Sequence, residues 1–423
     1  MSLRRRALNA LTAVTEDGAY ANLALKEASN GLSPEDARFL YALVYGVLDR
    51  LIPIDYELQA VTNPHKNRYV RNILRMGAAE LRFMHTPAHA AVSESVALCK
   101  EIGKSSLSGY VNGVLRAIER DKNGVPLPKE PVKRLSVRYS FPEWIVSAWI
   151  DAYGEAFTEE LLAAPPVGLT VRAQYPESTE QLIKELPCAY QRGKLDENAL
   201  LPARGFDLLS FPAFTEGRMA VQGEGAMLIC RALGDVRGKK VLDACAAPGG
   251  KSAYLASLTE NNVDLTCFEL HEHRAALMEK TFERLHVAAE IKVCDAAEHD
   301  AAYDEFFDAV LVDAPCSGLG MLMEKPDLRY AKTDEDVIAL SVVQARILDT
   351  AAAYVRPGGT LVYATCTISK RENEAQIERF LSGHAKFSLE KVPVAVANDG
   401  MLNLFPNVHG TDGYFICRMK KCS

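Results

Sequence analysis

Two cysteines stand where a nucleophile would be placed. Cys316 lies in Asp313-Ala314-Pro315-Cys316-Ser317-Gly318, and Cys366 lies in Tyr363-Ala364-Thr365-Cys366-Thr367. Each follows an apolar, strand-like run, Phe307–Val312 and Gly359–Thr365, and each has a turn-forming, polar surround. A thiolate in such a place can attack an electron-poor ring, and either cysteine is a candidate for that role. A cysteine inside a strand is most often a small buried apolar residue, and Cys267, Cys294 and Cys417 read that way. The chain has 10 cysteines, none in CxxC spacing, so neither a zinc site nor a disulfide framework is expected. Free thiols in that number suit a reducing cytoplasm, and no metal is expected.

A second chemical signal is Val241-Leu242-Asp243-Ala244-Cys245-Ala246-Ala247-Pro248-Gly249-Gly250-Lys251. A strand ends in a small-residue turn and opens a helix. Gly249 and Gly250 let the backbone approach a ligand, and the helix N-terminus favours a negative group. The stretch is neither a GxGxxG nor a GxxxxGK[ST] loop, which disfavours dinucleotides and ATP. A turn that needs glycine for its geometry alone is the competing reading. The next strand ends at Phe268-Glu269-Leu270, where an acid can take both hydroxyls of a ribose. The third ends at Cys294-Asp295, where an acceptor can meet an adenine amino group. Each acid alone reads as a solvated turn residue; three strand ends in register are harder to dismiss.

These groups need a sheet to carry them. From about residue 219 strand-like runs at Lys240–Cys245, Val263–Leu270, Glu290–Cys294, Phe307–Val312, Gly359–Thr365 and Tyr414–Met419 alternate with helical stretches at 250–259, 272–285, 334–354 and 370–381. That alternation predicts an α/β doubly wound, mostly parallel sheet, with ligands at the carboxyl ends of its strands. Residues 1–125 read as all helix, beginning with a helix over 1–16 and including a start at Ser33-Pro34-Glu35-Asp36. Asp121–Pro131, with three prolines and a glycine, reads as a linker. Residues 134–218 read as a small α/β middle domain, and 219–423 as the domain that carries the chemistry.

Of the 423 residues 48% are hydrophobic and 24% charged, which excludes a disordered or collagen-like chain. No uninterrupted apolar run approaches the length of a membrane span, the basic start lacks a clean apolar signal segment, and a cytoplasmic protein is expected. Residues 1–140 carry a net charge of +6 and the remainder −13, so nucleic acid, if bound, is expected first at the front. Ordinary scatter of charge accounts for the asymmetry equally well.

The motifs together resemble the Sun/NOL/NOP family of S-adenosylmethionine-dependent RNA cytosine-C5 methyltransferases. The resemblance is carried by Asp243–Lys251, Asp313–Gly318, Ala364–Thr367 with Glu372-Asn373-Glu374 after it, and Gly410-Thr411-Asp412-Gly413-Tyr414-Phe415. Ala19-Tyr20-Ala21-Asn22 and Leu43-Val44-Tyr45-Gly46-Val47 resemble the NusB-like domain attached to the bacterial 16S rRNA member, the Sun or RsmB type. The resemblance implies a Rossmann-like, class I methyltransferase domain. It implies that Cys245, Ala246, Ala247, Pro248, Gly249, Gly250 and Lys251 cradle the methionine part of S-adenosylmethionine. It places Glu269 on the ribose, Asp295 at the adenine, and Arg274 near the same pocket. It makes Cys366 the thiol that adds to C6 of the target cytosine and Cys316 the thiol that assists loss of the C5 proton and release of Cys366. Asp313, at the same pocket, would hydrogen-bond ring N3. The implied partner is RNA, 16S rRNA before tRNA, and a non-catalytic assembly factor is the remaining alternative. A monomer is expected.

The chain departs from the family pattern in four places. Gln222-Gly223 replaces Gln-Asp, and Glu269 replaces the commoner aspartate. Glu324-Lys325-Pro326-Asp327 stands where relatives carry a basic pair, and Val171-Arg172-Ala173-Gln174 where an Arg-Val-Asn type run is usual. In the front part Arg68, Arg71, Arg75 and Arg82 share one helix face, with Lys66 nearby. Attached to an RNA-modifying domain, such a stripe is expected to track a phosphate backbone; a solvated charged face is the alternative.

Overall fold

The computed structural model describes residues 1–84 and 86–422. It forms two compact units: Met1–Ala163 with Lys325–Lys332, and Ala164–Glu324 with Thr333–Ser423.

The first unit is helical, from Leu3–Asp17 to Glu155–Leu162. Local chemistry sets its boundaries. Ser33 Oγ accepts from the Asp36 amide at 3.1 Å, Pro34 takes the first turn, and Glu35 and Asp36 lie by the positive end of helix Pro34–Leu48. Leu8, Leu11, Leu40, Leu43, Val47 and Ile73 recur at helical spacing and close one buried core. The expected linker ends in a capped helix: the Glu130 carboxylate accepts from the Val132 and Lys133 amides, and Pro131 opens Pro131–Tyr139. That helix packs on Leu51–Val61. The stretch expected as a middle domain, 134–218, is therefore shared: 134–163 extends the helical unit, and 164–218 lies in the second.

A segment of the later chain also belongs to the helical unit, which hydropathy did not reveal. Asp327 Oδ2 accepts from the Ala21 amide at 3.1 Å, at the start of helix Ala21–Ala28. The Tyr330 hydroxyl lies 2.9 Å from the Leu48 carbonyl oxygen and 2.8 Å from Ser140 Oγ, and the Arg329 guanidinium lies over the Phe141 ring.

The second unit holds two sheets. Strands β1 (Val171–Ala173), β2 (Tyr190–Arg192), β3 (Ala199–Pro202) and β4 (Met219–Val221) form an antiparallel sheet in the order β2-β3-β1-β4. The larger sheet contains β5 (Lys240–Asp243), β6 (Asp264–Glu269), β7 (Glu290–Val293), β8 (Phe307–Asp313), β9 (Val355–Thr365), β10 (Phe387–Leu389), β11 (Met401–Leu404) and β12 (Tyr414–Lys421). Its order is β10-β12-β9-β8-β5-β6-β7, with β11 on β12. β7, β6, β5, β8 and β9 are parallel, and β12 returns antiparallel. Alternate residues feed separate cores: Val241, Leu311, Val362 and Ile416 one face, Leu242, Val310, Leu361 and Phe415 the other. A sheet covered on both faces has near-continuous apolar strands, which made these runs legible. Strand order reverses between β5 and β8, so the ligand crevice of a doubly wound sheet belongs at their carboxyl ends.

Two sequence expectations need correction. Helix Asp334–Tyr354, at 21 residues, is long and apolar enough by length and composition to cross a membrane, although its uninterrupted apolar runs are short. It packs on β8, β9 and helix Glu374–Gly383, burying Ile347, Leu348, Ala351 and Ala352. Cys267 and Cys417 are buried as expected, whereas Cys294 is only half-buried.

Tyr330→Phe removes a hydroxyl shared by Leu48 and Ser140. It is expected to lower stability by about 1–3 kcal/mol, read as a shift in the urea midpoint of the helical unit.

Candidate active site

The turn after β5 is built by its glycine. Gly249 has φ +94°, and a Cβ there would lie 2.7 Å from Phe282 Cε1, so both conformation and space demand glycine. The Gly249 amide donates to the Ala246 carbonyl at 2.7 Å, and helix Gly250–Leu258 starts at once. Asp243, fully buried beneath it, accepts from Ser252 Oγ at 2.6 Å. Burial pushes the Asp243 carboxyl up to about 6. Burial likewise raises the Cys245 thiol well above its ordinary value, so Cys245 stays protonated.

Glu269 ends β6 and is almost wholly buried. One oxygen accepts from the His271 amide at 3.0 Å and lies 3.4 Å from Arg274 Nη1. Arg274 Nη2 also donates to the Ala247 carbonyl at 3.1 Å, which ties the end of β6 to the glycine turn. Asp295, just past β7, is half-buried and accepts from the Ala297 amide at 2.8 Å. Pairing of Glu269 with Val293 brings both acids to one edge of the sheet.

Asp313 ends β8, opposite Ala364 of β9. Its Oδ2 lies 2.5 Å from Lys251 Nζ. Burial opposes the charge on that lysine, but Asp313, with Tyr414 and Cys366 beyond it, raises its pKa above the ordinary range. Past these strand ends the Cys316 and Cys366 sulfurs lie 3.3 Å apart. The hydrogen bond to Cys366 and burial push the Cys316 thiol well above its ordinary value.

The residues that hold this pair were not singled out by their chemistry in the sequence. Glu372 is fully buried and accepts from the Ser317 amide at 2.8 Å, Ser317 Oγ at 2.5 Å and Gln344 Nε2 at 3.0 Å. Asn373, also buried, joins the other side: Thr365 Oγ1 donates to its Oδ1 at 2.6 Å, and its Nδ2 donates to the Thr367 carbonyl at 2.9 Å. Ser317 Oγ and Thr367 Oγ1 meet at 2.9 Å. The signal was the acid–amide pair soon after Cys366, which entered the sequence reading only as part of a family motif. Two glycines close the site: the Gly320 amide donates to the Cys366 carbonyl at 3.0 Å, and the Gly413 amide to the Gly320 carbonyl at 2.8 Å. A Cβ on Gly320 would sit 2.0 Å from the Gly413 oxygen.

Cys245–Lys251, Glu269, Arg274, Asp295, Asp313, Cys316 and Cys366 thus share the carboxyl edge of one sheet. The arginine stripe is different. Arg68 pairs with Asp17 at 2.5 Å, Arg71 with Glu16 at 2.6 Å, Arg75 with Asp55 at 2.6 Å and Arg82 with Glu57 at 2.5 Å. Arg75 is buried and also donates to Asn72 Oδ1. Acids from neighbouring helices, invisible to a single-helix count, already neutralise the stripe, so it is not a free basic face. The departure at Arg172 is internal too: fully buried, it donates to Gln222 Oε1 and Gln174 Oε1, each at 2.6 Å. Among the described residues no group of three or more His, Cys, Asp or Glu is placed to hold a metal.

Two outcomes are expected. A carboxyl whose pKa is raised on folding binds more protons in the folded state, so its stabilising contribution falls as pH rises through the folded value near 6. Asp243→Asn lacks that term; from about pH 4 to about pH 7 its stability relative to wild type should therefore rise by roughly 2–3 kcal/mol in paired denaturation curves. Arg75→Ala is expected to cost about 2 kcal/mol of stability while leaving the salt dependence of RNA binding as in wild type; a flatter salt slope would restore the stripe as a phosphate contact.

Comparison with known proteins agrees with this architecture. A family described as 16S rRNA methyltransferase RsmB/F matches residues 231–420, and the NusB family matches residues 1–120. The chain is 38% identical to the probable ribosomal RNA small subunit methyltransferase B of Bacillus subtilis (strain 168), with 99% of each chain covered. Among solved structures it resembles PH0851, with a TM-score of 0.84, 25% identity and 100% of both chains covered. It shares the fold of NSun6 from Pyrococcus horikoshii with SFG, with a TM-score of 0.60 and 20% identity over 67% of this chain and 99% of that one. A NusB domain, a catalytic domain of the RsmB/F type and this identity over nearly the whole length together show that the chain belongs to the family of ribosomal RNA small subunit methyltransferase B.

Proposed function

We propose that this protein methylates C5 of a cytosine in 16S rRNA, taking the methyl group from S-adenosylmethionine and using Cys366 as a covalent nucleophile. The observation that carries the reading is the 3.3 Å contact of Cys316 and Cys366 at the sheet edge that also bears the Asp313–Lys251 pair. Family membership supports an rRNA methyltransferase; the cytosine chemistry rests on the thiol pair.

The pocket suits the cofactor. The Gly249 turn leaves room where a Cβ would collide with Phe282, and helix Gly250–Leu258 turns its amides towards the turn. Glu269 would hold the ribose hydroxyls, with Arg274 fixing its carboxylate, and Asp295 would meet the adenine amino group. When bound, S-adenosylmethionine supplies an electrophilic methyl group.

Cytosine C5 is a poor nucleophile until C6 carries a substituent. Cys366 must therefore lose its proton and form the S–C6 bond, moving the C5=C6 electron pair into the ring. Two touching thiols do not both ionise readily; the hydrogen bond to Cys366 and burial push the Cys316 thiol up, and in this reading Cys366 is the one that attacks. In this reading Asp313, held by Lys251, hydrogen-bonds N3 through a proton shared between the carboxyl group and the ring nitrogen, which neutralises the charge developing there. After transfer Cys316, in contact with the thioether sulfur, releases its own proton to solvent and takes the C5 proton, and the C–H electron pair re-forms C5=C6 as the S–C6 pair leaves with Cys366 as its thiolate. The base has to leave any stack to reach both sulfurs.

The test is a methyl-transfer assay with labelled cofactor on unmodified rRNA and tRNA, with the product mapped for 5-methylcytosine. Cys366→Ser is expected to lose transfer and form no adduct. Cys316→Ala is expected to stall after bond formation and trap a protein–RNA complex that survives denaturation. Trapping by Cys366→Ser alone would exchange the two roles, and full activity in both variants would sink the covalent mechanism.

A further inference from the structure

Tyr414 has no part in the mechanism above, yet it opens the strand beside Cys366. β12 runs antiparallel to β9, and their pairing ends with Phe415 opposite Thr365; Tyr414 and Cys366 are the next residues outward on the two chains, and both pack on the same core. The Tyr414 ring is buried, at 6% exposure. It is seated against Gly225, where a Cβ would lie 2.2 Å from Tyr414 Cδ2, so glycine is what admits the ring. Burial raises the phenol well above its ordinary range, with Lys251, Cys366, Asp412 and Asp313 acting on it electrostatically. The hydroxyl therefore keeps its proton and is a donor at neutral pH. Among the described residues it makes no hydrogen bond to another protein group, and it is not one of the fully buried, unpartnered side-chain atoms, so the oxygen meets open space where a ligand atom can reach it.

We propose that the Tyr414 hydroxyl, carried just beyond the last β9–β12 pair on the same core face as Cys366, donates a hydrogen bond to the carbonyl oxygen of the target cytosine. The proposal rests on the covalent reading above. When the sulfur bonds to C6, the electron pair of C5=C6 moves through C4 onto N3 and the carbonyl oxygen at C2. Nothing leaves the ring, and the phenol proton stays on tyrosine. Asp313 serves N3, and Tyr414 serves the second atom that gains charge. A donor held there binds the adduct more tightly than the free base, which is the condition for accelerating the step.

Tyr414→Phe keeps the ring and its seat against Gly225 and deletes only the donor. In wild type, 5-methylcytosine formation on unmodified 16S rRNA is measured first; its absence would overturn the covalent reading and this inference with it. Given wild-type activity, Tyr414→Phe is expected to lower kcat/KM for RNA about 10-fold, the loss of one hydrogen bond of ordinary strength. The rate of adduct formation in a Cys316→Ala background should fall by the same factor. Melting temperature and cofactor affinity, the quantities a merely structural residue would move, should stay at wild-type values. Wild-type rates in Tyr414→Phe, or a loss appearing only in cofactor affinity or melting temperature, would overturn the assignment while leaving the cysteine mechanism intact.

Discussion

One buried carboxylate sets the distance on which the chemistry depends. Glu372 has no exposed surface and accepts three hydrogen bonds, two from Ser317 and one from Gln344. A carboxylate taken out of water is costly unless its lone pairs are used, and here three donors use them. Those donors come from the Cys316 loop and from helix Asp334–Tyr354, while the acceptor directly precedes Asn373, which grips the Cys366 loop. Losing any one donor leaves part of the charge unsatisfied. The two loops are held together by the same few bonds, and two sulfurs carried by separate strands stay in contact.

Close backbone approach supplies the rest of the rigidity. Gly320 and Gly413 cross where neither tolerates a side chain, and this crossing links the Cys316 loop, the Cys366 carbonyl and the start of β12. The glycine turn after β5 does the same at the neighbouring strand end, pressed against Phe282. The site is built from strand ends and tight turns and not from long loops, which suits chemistry that tolerates little misplacement. Lys251 joins the two halves, because it leaves the glycine turn and reaches Asp313 at the end of β8.

How much could be read in advance follows from the range of each interaction. The parallel strands β5, β6, β7, β8 and β9 were legible because burial on both faces makes them apolar runs, and the motif residues were legible because they sit where those runs stop. β10 and β11, three and four residues long, lacked that signal. The strands of the four-stranded sheet were not legible one by one, since β1 and β2 are three residues each and Tyr190–Arg192 is wholly exposed. The arginine stripe was read correctly as one helix face, Arg68–Arg82, but its partners Glu16, Asp17, Asp55 and Glu57 come from two other helices. Periodicity reports which residues share a face and is silent on what that face meets.

The same limit explains the boundary that sequence composition missed. Chain order runs from Ser317, on Glu372, through Lys325–Lys332, to Gln344, again on Glu372. The middle of that path belongs to the helical unit, held by the Asp327 cap on Ala21, the Tyr330 hydroxyl and Arg329 on Phe141. The chain that leaves the Cys316 loop is thus fastened within the helical unit before it returns to supply the helix that fixes Glu372. A NusB-type unit joined to a catalytic unit by one linker could be exchanged for another RNA-binding module. Here the chain passes between the units at 163/164 and again on either side of 325–332, and that second excursion lies in sequence between Ser317 and Gln344, two of the residues that donate to Glu372. Polar groups of that segment are met by helical-unit partners, so the two units are joined by more than one stretch of covalent chain.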